Sequence, residues 1–507
     1  MGDIARATIV VAALAATAPC IAANNAIPVI TPKWHKTTIE VRTDLSIQVC
    51  VEPPLRGNSP IKRRLFNSLR TFHSNYARLH FWYPYPRLAV AELEPPGNGE
   101  THWDFSLIDP IVESFYTASE GRPVMLNFST PPQWMYKTEE APTYPADPGE
   151  IAWKYGQGAE LRDPTLAEIR EYYRRLASWY VLGGFVDEFG RKHESGHRFT
   201  IDYWEVLNEV DTEHNMSPEL YTRVYDEVVE AVKKVSPRTH FSGLALGIPA
   251  NRPEYFEYFL NPRNHKPNIP LDMISYHFYA FPEVDESSEV QQFTLFRQAD
   301  AFVSTVKYIE AIRTRLSPTT KTYLNEVGTW TARPLAKRET IPATYWHLSG
   351  AVFAYLYIQL LKLQIDLVAG AELIDYPGQV AGASLSDWNT GLPNARFQVL
   401  KLLHEEIRPG DRLIEDIEDE SSDPERPNPL TYSIQGVVAQ NGRRKLLIVN
   451  KRNRPLVLRV VGSAKGEMNY TDVSTGTRAA VSVPLRSDKI SLNGFAVAVV
   501  TMPKRQL

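Results

Sequence analysis

The stretch YWEVLNEVDTEHNMSPELYTRVYDEVVEAVKKVSPRTHFSGLAL, from Tyr203 to Leu246, decides how the rest of the chain reads. A short β-prone run at 202–207 ends in a polar pair, Asn208-Glu209. A helical pattern follows at 217–235, with Ser217 placed to cap it and Pro218 at its first position. An apolar run at 239–246 then predicts a second strand. Two strands joined by a long helix form a parallel crossover unit, because a hairpin needs only a short turn.

The same alternation extends in both directions. Strands are expected at 46–51, 76–81, 124–128, 202–207, 239–246, 273–278, 322–325 and 367–374. Helical patterns follow them at 61–72, 105–117 (with Asp104 as its cap), 166–181, 217–235, 253–260, 291–316, 345–363 and 394–406. Eight strand–helix pairs predict an α/β fold, a closed (β/α)8 TIM barrel over residues 45–410. The alternative is an open doubly wound sheet. That fold usually announces itself with a Gly-rich first turn, and the chain has no G-x-G-x-x-G or Walker-type loop.

Beyond the barrel the period changes. Residues 415–427, EDIEDESSDPERP, read as a solvated acidic linker rather than a calcium site. Short strands without helices are then expected at 431–438, 444–449, 456–461, 467–472, 489–492 and 496–501. They predict an antiparallel β-sandwich accessory domain over 428–507, to which residues 24–44 add a strand at 34–41.

At the N-terminus, Arg6 precedes an Ala-rich apolar run at 7–18 and the small residues around Ala22-Ala23. Residues 1–23 read as a secretory signal peptide, implying a secreted or periplasmic protein; a membrane anchor or a disordered leader are the alternatives. No other segment is apolar and long enough to span a bilayer, so no membrane partner is expected once the leader is cleaved. Cleavage after Ala22 or Ala23 also removes Cys20. Cys50 is then the only cysteine, and no intrachain disulfide can form.

Composition excludes several classes. The 507 residues are 43% hydrophobic and 22% charged, which rules out wholesale disorder. Lys and Arg number 55 against 59 Asp and Glu, a net charge of −4, which argues against a nucleic-acid partner.

In a barrel of this kind the reactive groups sit at the C-terminal ends of the strands. Two glutamates close apolar runs there, Glu209 after strand 4 and Glu326 in Thr322-Tyr323-Leu324-Asn325-Glu326 on strand 7. Either alone could be an ion-pair partner. Together, at equivalent ends of two strands, they suit glycoside hydrolysis, in which one carboxyl gives its proton to the leaving oxygen and the other attacks or activates water. No metal or cofactor is needed. Strand 2 offers Arg78 and His80 on one face, and strand 6 offers His277 and Tyr279 on one face. A lumen arginine would hold the nucleophile ionised. His277 could equally be a satisfied structural histidine. Trp134 and Tyr136, after strand 3, could stack on sugars or simply pack.

These residues together resemble the signature of the clan A glycoside hydrolases. Within that clan the chain resembles glycoside hydrolase family 39, which holds β-D-xylosidases and α-L-iduronidases. The matching pieces are Arg78-x-His80, the run Trp103-Asp104-Phe105-Ser106-Leu107-Ile108-Asp109, Asn208-Glu209, Ser275-x-His277-x-Tyr279 and Asn325-Glu326. The resemblance implies a retaining, β-xylosidase-like hydrolase of oligo- or polysaccharides with Glu209 as acid/base and Glu326 as nucleophile. It further implies that Asn208 bonds the sugar 2-hydroxyl and that His80, His277 and Tyr279 line the sugar subsite. Arg78, Trp134 and Trp330 complete the expected substrate-binding set. The chain departs from the family pattern at Val210, where Pro commonly follows the acid/base, and at Val327, where Trp commonly follows the nucleophile. Alternatives are an iduronidase, an arabinosidase or an endo-glycosidase, a non-catalytic carbohydrate-binding protein, and a metal-dependent hydrolase using His80, His277 and a carboxylate. Of the glycosylation sequons, Asn469-Tyr470-Thr471 is the best candidate; Asn127 lies on an expected buried strand and Asn215-Met216-Ser217 precedes Pro218.

Overall fold

The computed structural model describes residues 27–504, apart from 139–142, 156–157, 285, 337–338, 379–380 and 421–429. The leader at 1–23 lies outside the described residues.

Eight parallel strands close a barrel: β1 Asp44–Cys50, β2 Ala77–His80, β3 Val124–Asn127, β4 Tyr203–Glu205, β5 His240–Leu246, β6 Met273–Ala280, β7 Lys321–Thr329 and β8 Leu367–Gly370. Leu367 to Gly370 of β8 pair with Asp44 to Ile47 of β1, which closes the ring. The helices that follow each strand in turn are α1 Lys62–Phe72, α2 Asp109–Ser119, α3 Ala167–Val181, α4 Pro218–Val235, α5 Pro253–Phe259, α6 Ser288–Leu316, α7 Ala343–Lys362 and α8 Ala395–Glu406. The expected cap at α4 forms, the Ser217 hydroxyl accepting from the Leu220 N–H at 3.2 Å.

The α2 start differs from the sequence expectation. Residues 105–108 form a turn, closed by Asp104 Oδ1 accepting from the Ser106 N–H, and the helix begins at Asp109. Pro110 explains the shift. It has no N–H to give the preceding turn, and its fixed φ suits the first helical turn.

The lumen is a packed core. Met125, Tyr203, Met273, Tyr323, Leu367 and Ala369, all near the strand starts, plug its N-terminal end. Above them the inward positions turn polar: Ser46, Gln48 and Cys50 alternate with Leu45, Ile47 and Val49 along β1.

The sandwich consists of a seven-stranded and a four-stranded sheet. Thr37–Glu40 edges the larger sheet, and Val29–Pro32 lies inside the smaller one. Part of the expected acidic linker is in fact a strand: Ile417–Asp419 pairs antiparallel with Val29–Pro32. Residues 421–429 lie outside the described set. Leu446, Ile448, Ala498 and Val500 face the sandwich core, while Leu447, Val449, Val497 and Val499 join the barrel's core. Both faces of that sheet are buried, which is why its strands read as continuous apolar runs. Asn469 lies at this junction, its Nδ2 donating to Glu406 at 2.7 Å, so the expected glycosylation acceptor is already engaged.

Candidate active site

The polar lumen is built around one buried guanidinium. Arg78, on β2, has no solvent exposure. It donates from Nε to Glu205 (2.6 Å), from Nη1 to Glu326 (2.6 Å) and from Nη2 to Asn208 Oδ1 (2.8 Å). Burial opposes its charge, but Glu205 and Glu326 outweigh that and raise its pKa. Glu205, equally buried, also accepts from Asn127, Ser242, Ser275 and Asn325. A buried charge survives only when paired and hydrogen-bonded, and this group is both.

Glu326 sits one layer above. Its Oε1 accepts from Arg78 Nη1 at 2.6 Å, and Oε2 accepts from Tyr279 OH at 2.8 Å. Burial pushes its carboxyl up, but His277, Arg78 and the Tyr279 hydroxyl overcome burial and hold it at about 2. Strict alternation along β7 would turn either Asn325 or Glu326 outward. A register shift against both neighbouring strands, β6 and β8, lets the two point inward together.

Glu209 is held differently. The chain leaves β4 after Glu205, and both Leu207 (φ 60°) and Glu209 (φ 42°) adopt left-handed backbone that L-residues disfavour. The Glu209 carboxylate meets His277 Nδ1 at 2.9 Å through Oε1 and accepts from the Thr212 hydroxyl at 2.9 Å through Oε2. A Cβ at Gly247 would lie 2.8 Å from its Cδ, so only glycine leaves room there. His277 Nδ1 also lies 3.5 Å from Glu326 Oε2, so the imidazole bridges the two glutamates. Burial lowers its pKa, and Glu326 and Glu209 more than reverse that, so it is raised above the ordinary value. The donor atoms of Glu209, His277 and Glu326 all lie within 4.8 Å of one another.

The glutamates open on a cavity of about 210 Å³ lined by Gln48, Cys50, His80, Trp82, Trp153, Asn208, Glu209, Glu213, Tyr279, Glu326, Trp330 and Glu372. A larger groove of about 930 Å³ lies outside the barrel between α1 and α2 and touches neither glutamate. Of the residues expected from sequence, His80, Asn208, Tyr279 and Trp330 reach the cavity wall, and Trp330 stacks on Tyr279 at 4.2 Å. Arg78 lies beneath the wall, and His277, 1% exposed, stands behind the carboxylates. Trp134 is a correction. The turn at Gln133–Met135 buries its ring, Nε1 donates to the Glu92 carbonyl, and Arg162 covers its face; Tyr136 is also buried, and both pack.

Sequence reasoning missed Gln48, Cys50, Trp82, Trp153, Glu213 and Glu372. Gln48 and Cys50 were legible as polar positions of one parity on β1. Trp82 lies just past His80; its indole N–H donates to Glu213 and its ring meets Trp153 edge-on at 5.6 Å. Trp153 comes from a loop with no local signal, whereas Glu372 closes the apolar run at 367–371, just past Gly370 where β8 ends short of the expected 374.

No protein-family profile and no curated protein sequence matches the chain. Solved structures do. A GH39 β-xylosidase from Caulobacter crescentus aligns at TM-score 0.59 and 14% identity over 94% of this chain and 100% of that one. A GH51 arabinofuranosidase from Xanthomonas axonopodis pv. citri aligns at TM-score 0.61 and 12% identity over the same shares. A GH30 endoxylanase from Clostridium papyrosolvens C71 aligns at TM-score 0.54 and 12% identity, again over 94% and 100%. At these identities what the chain shares with the three glycosidases is the fold, a TIM barrel carrying a β-sandwich.

Proposed function

We propose that the protein is a retaining glycoside hydrolase, secreted or periplasmic, that acts on a carbohydrate substrate and is β-xylosidase-like in architecture. One observation carries the reading: Glu209 and Glu326 line one cavity with an oxygen of each within 4.8 Å of the other, a close approach of the kind that retaining enzymes, with carboxyls ~5–5.5 Å apart, require. The asymmetry of their surroundings supports the assignment of roles. Glu326, anionic and fully hydrogen-bonded, is the nucleophile; Glu209, on a strained loop with 24% of its side chain exposed, is the acid/base.

In the first step a Glu326 oxygen bonds to the anomeric carbon. The glycosidic C–O bond breaks, and the departing oxygen takes a proton from Glu209. In the second step Glu209 takes a proton from water, whose oxygen attacks the same carbon, and the Glu326 ester bond breaks. His277 Nδ1 lies 2.9 Å from Glu209 and 3.5 Å from Glu326, so one ring nitrogen touches both carboxyls. Asn208 is positioned by Arg78 on one side and donates to Glu213 on the other, which aims it at the sugar.

A metal-dependent reading is weaker on charge grounds. Arg78 already offsets Glu326, and a divalent ion there would face its guanidinium. Turnover of a panel of aryl glycosides, followed by proton NMR of the first-formed anomer with chelator present, tests the proposal. Retention unaffected by chelator is expected. Inversion, or loss of activity to the chelator, overturns it.

A further inference from the structure

The groove between α1 and α2 carries a charge pattern that neither the barrel nor the proposed hydrolysis uses. Four cations line it, Lys62, Arg63, Arg64 and Arg70, against a single carboxylate, Glu113. Among the described residues none of the four makes an ion pair. Lys62 donates to the Pro110 carbonyl at 2.7 Å, Arg64 to the Thr390 carbonyl at 2.8 Å and Arg70 to the Asn67 amide oxygen at 2.6 Å. Arg63 is exposed and has no hydrogen-bond partner among the described residues. Elsewhere on the surface Lys33, Arg162, Arg315 and Arg333 each sit against a glutamate.

Stability does not account for this cluster. Lys62, Arg63 and Arg64 open α1, which has no side-chain cap and no acidic residue in its first turn. Cations at that end oppose the helix dipole. α4 shows the favourable arrangement, with Glu219 in its first turn and Lys233 and Lys234 in its last. A local rule broken without gain to the fold marks a place where the chain serves something else. The groove's position adds to this. Each barrel helix starts at the end where its strand finishes, so α1 begins at the rim that carries Glu209 and Glu326. From Lys62 to Arg70 the helix runs ~12 Å down the flank, at 1.5 Å per residue. The loop at 391–393, which follows β8, also lines the groove. Between the cations lie the exposed amide of Asn67, the exposed hydroxyls of Thr71 and Thr117, and Leu392, 54% exposed.

We propose that this groove is a second carbohydrate site, separate from the catalytic cavity, that holds an acidic polysaccharide chain by its uronate carboxylates. The choice of a glycan rests on the glycosidase reading; the preference for an anion rests on the groove alone. Guanidinium groups pair with carboxylates through two parallel hydrogen bonds, and the amide and hydroxyls between them suit the sugar hydroxyls. A concave channel of about 930 Å³ receives a linear chain, whereas a flat lipid surface would reach only its edges. A nucleic acid duplex carries one charge per ~1.7 Å and would be repelled by the rest of a chain whose net charge is −4. A uronan carries its charges further apart. Polymer held on the flank is kept at high local concentration beside the rim, while the chemistry on a small substrate is untouched.

The test titrates the full chain by calorimetry with polygalacturonate and with the same polymer fully methyl-esterified, which keeps the rings and removes the charge. Polygalacturonate should bind at least about tenfold tighter than the ester in low salt, and lose at least about tenfold in affinity on going from about 20 to about 500 mM NaCl. Arg63→Glu/Arg64→Glu should weaken polygalacturonate binding by at least about tenfold. Its kcat/KM on aryl glycosides should match the wild type, and its Tm should be no lower, because carboxylates suit the first turn of α1. Arg63→Gln, which removes one exposed charge, should weaken binding about two- to fivefold. Equal affinity for the two polymers, salt-insensitive binding, or binding unchanged in both variants overturns the proposal and leaves the glycosidase reading intact. Tighter binding of oligo(dT) or of phosphatidylglycerol vesicles than of polygalacturonate also overturns it. A wild-type protein that shows the expected polygalacturonate binding but turns over no aryl glycoside supports the groove and overturns the glycosidase reading.

Discussion

Glu326 and Glu209 share one imidazole and one cavity, yet the chain supports them in opposite ways. Glu326 is 7% exposed, lies on a barrel strand, and is fixed by Arg78, Tyr279 and His277. Glu209 is more than three times as exposed, sits on left-handed backbone past the end of β4, and is steadied by a threonine and the same histidine. The first surroundings stabilise an anion and leave it nowhere to move. The second leave a carboxyl beside solvent, where a departing group or a water can reach it. A double displacement needs both kinds of environment within reach of one carbon, and the barrel provides them by drawing on two strands of different regularity.

The most severe way to break this comparison is to delete the fixed member. Glu326→Ala should cut kcat by at least about 10⁴-fold. Azide should restore turnover and give a sugar azide, because it replaces the missing carboxylate on the same face. Deleting the mobile member should be graded instead. For Glu209→Ala, unactivated glycosides should lose about 10²–10⁴-fold, with dinitrophenyl glycosides much less affected, since they need little proton assistance. Equal losses on both substrate types would remove the acid role from Glu209.

Arg78 tests whether the floor belongs to the site or only to the fold. Arg78→Met leaves Glu205 and Glu326 buried without their cation, and should cost about 3–5 kcal/mol in urea unfolding together with most of the activity. A more conservative probe is Gly247→Ala, which pushes a methyl group toward the Glu209 carboxyl without touching Glu326. It should lower kcat/KM about 10- to 100-fold with Tm nearly unchanged. The subtlest effect is in pH. The folded pKa of Glu326, about 2, lies below the ~4.3 of an unfolded glutamate. Its depressed value contributes stability that is complete above about pH 4.3 and fades as the pH falls toward 2. The Tm difference between the wild type and Glu326→Gln should therefore be flat above pH 5 and move against the wild type below it.

The barrel was legible because its signals are local. Ser217-Pro218 marks a helix start by itself, and strand–helix alternation needs no knowledge of distant partners. Glu209 and Glu326 could be singled out because a carboxylate ending an apolar run is anomalous wherever it occurs, and the structure brings both to one cavity. Arg78 could be suspected from parity, though its three partners come from β4, β7 and the loop after β4. Trp134 misled because an aromatic after a barrel strand looks the same in sequence whether it faces a sugar or a neighbouring helix. Trp153 was invisible for the converse reason: it sits in a long loop, and only the closed ring brings it to the cavity. Glu372 closes the apolar run at 367–371 as the other two glutamates close theirs, and it was passed over because the strand, which ends at Gly370, was expected to run on to 374. The same limit hid the strand at Ile417–Asp419, whose partner Val29–Pro32 lies more than half the chain away.

The most direct test of the central claim is to incubate the protein with an activated 2-deoxy-2-fluoro glycoside matching its best aryl glycoside substrate, then digest it and map the adduct by mass spectrometry. The account predicts a single sugar ester on Glu326. An adduct on Glu209 or Glu372, or continued turnover with an inverted product and no adduct, would contradict it.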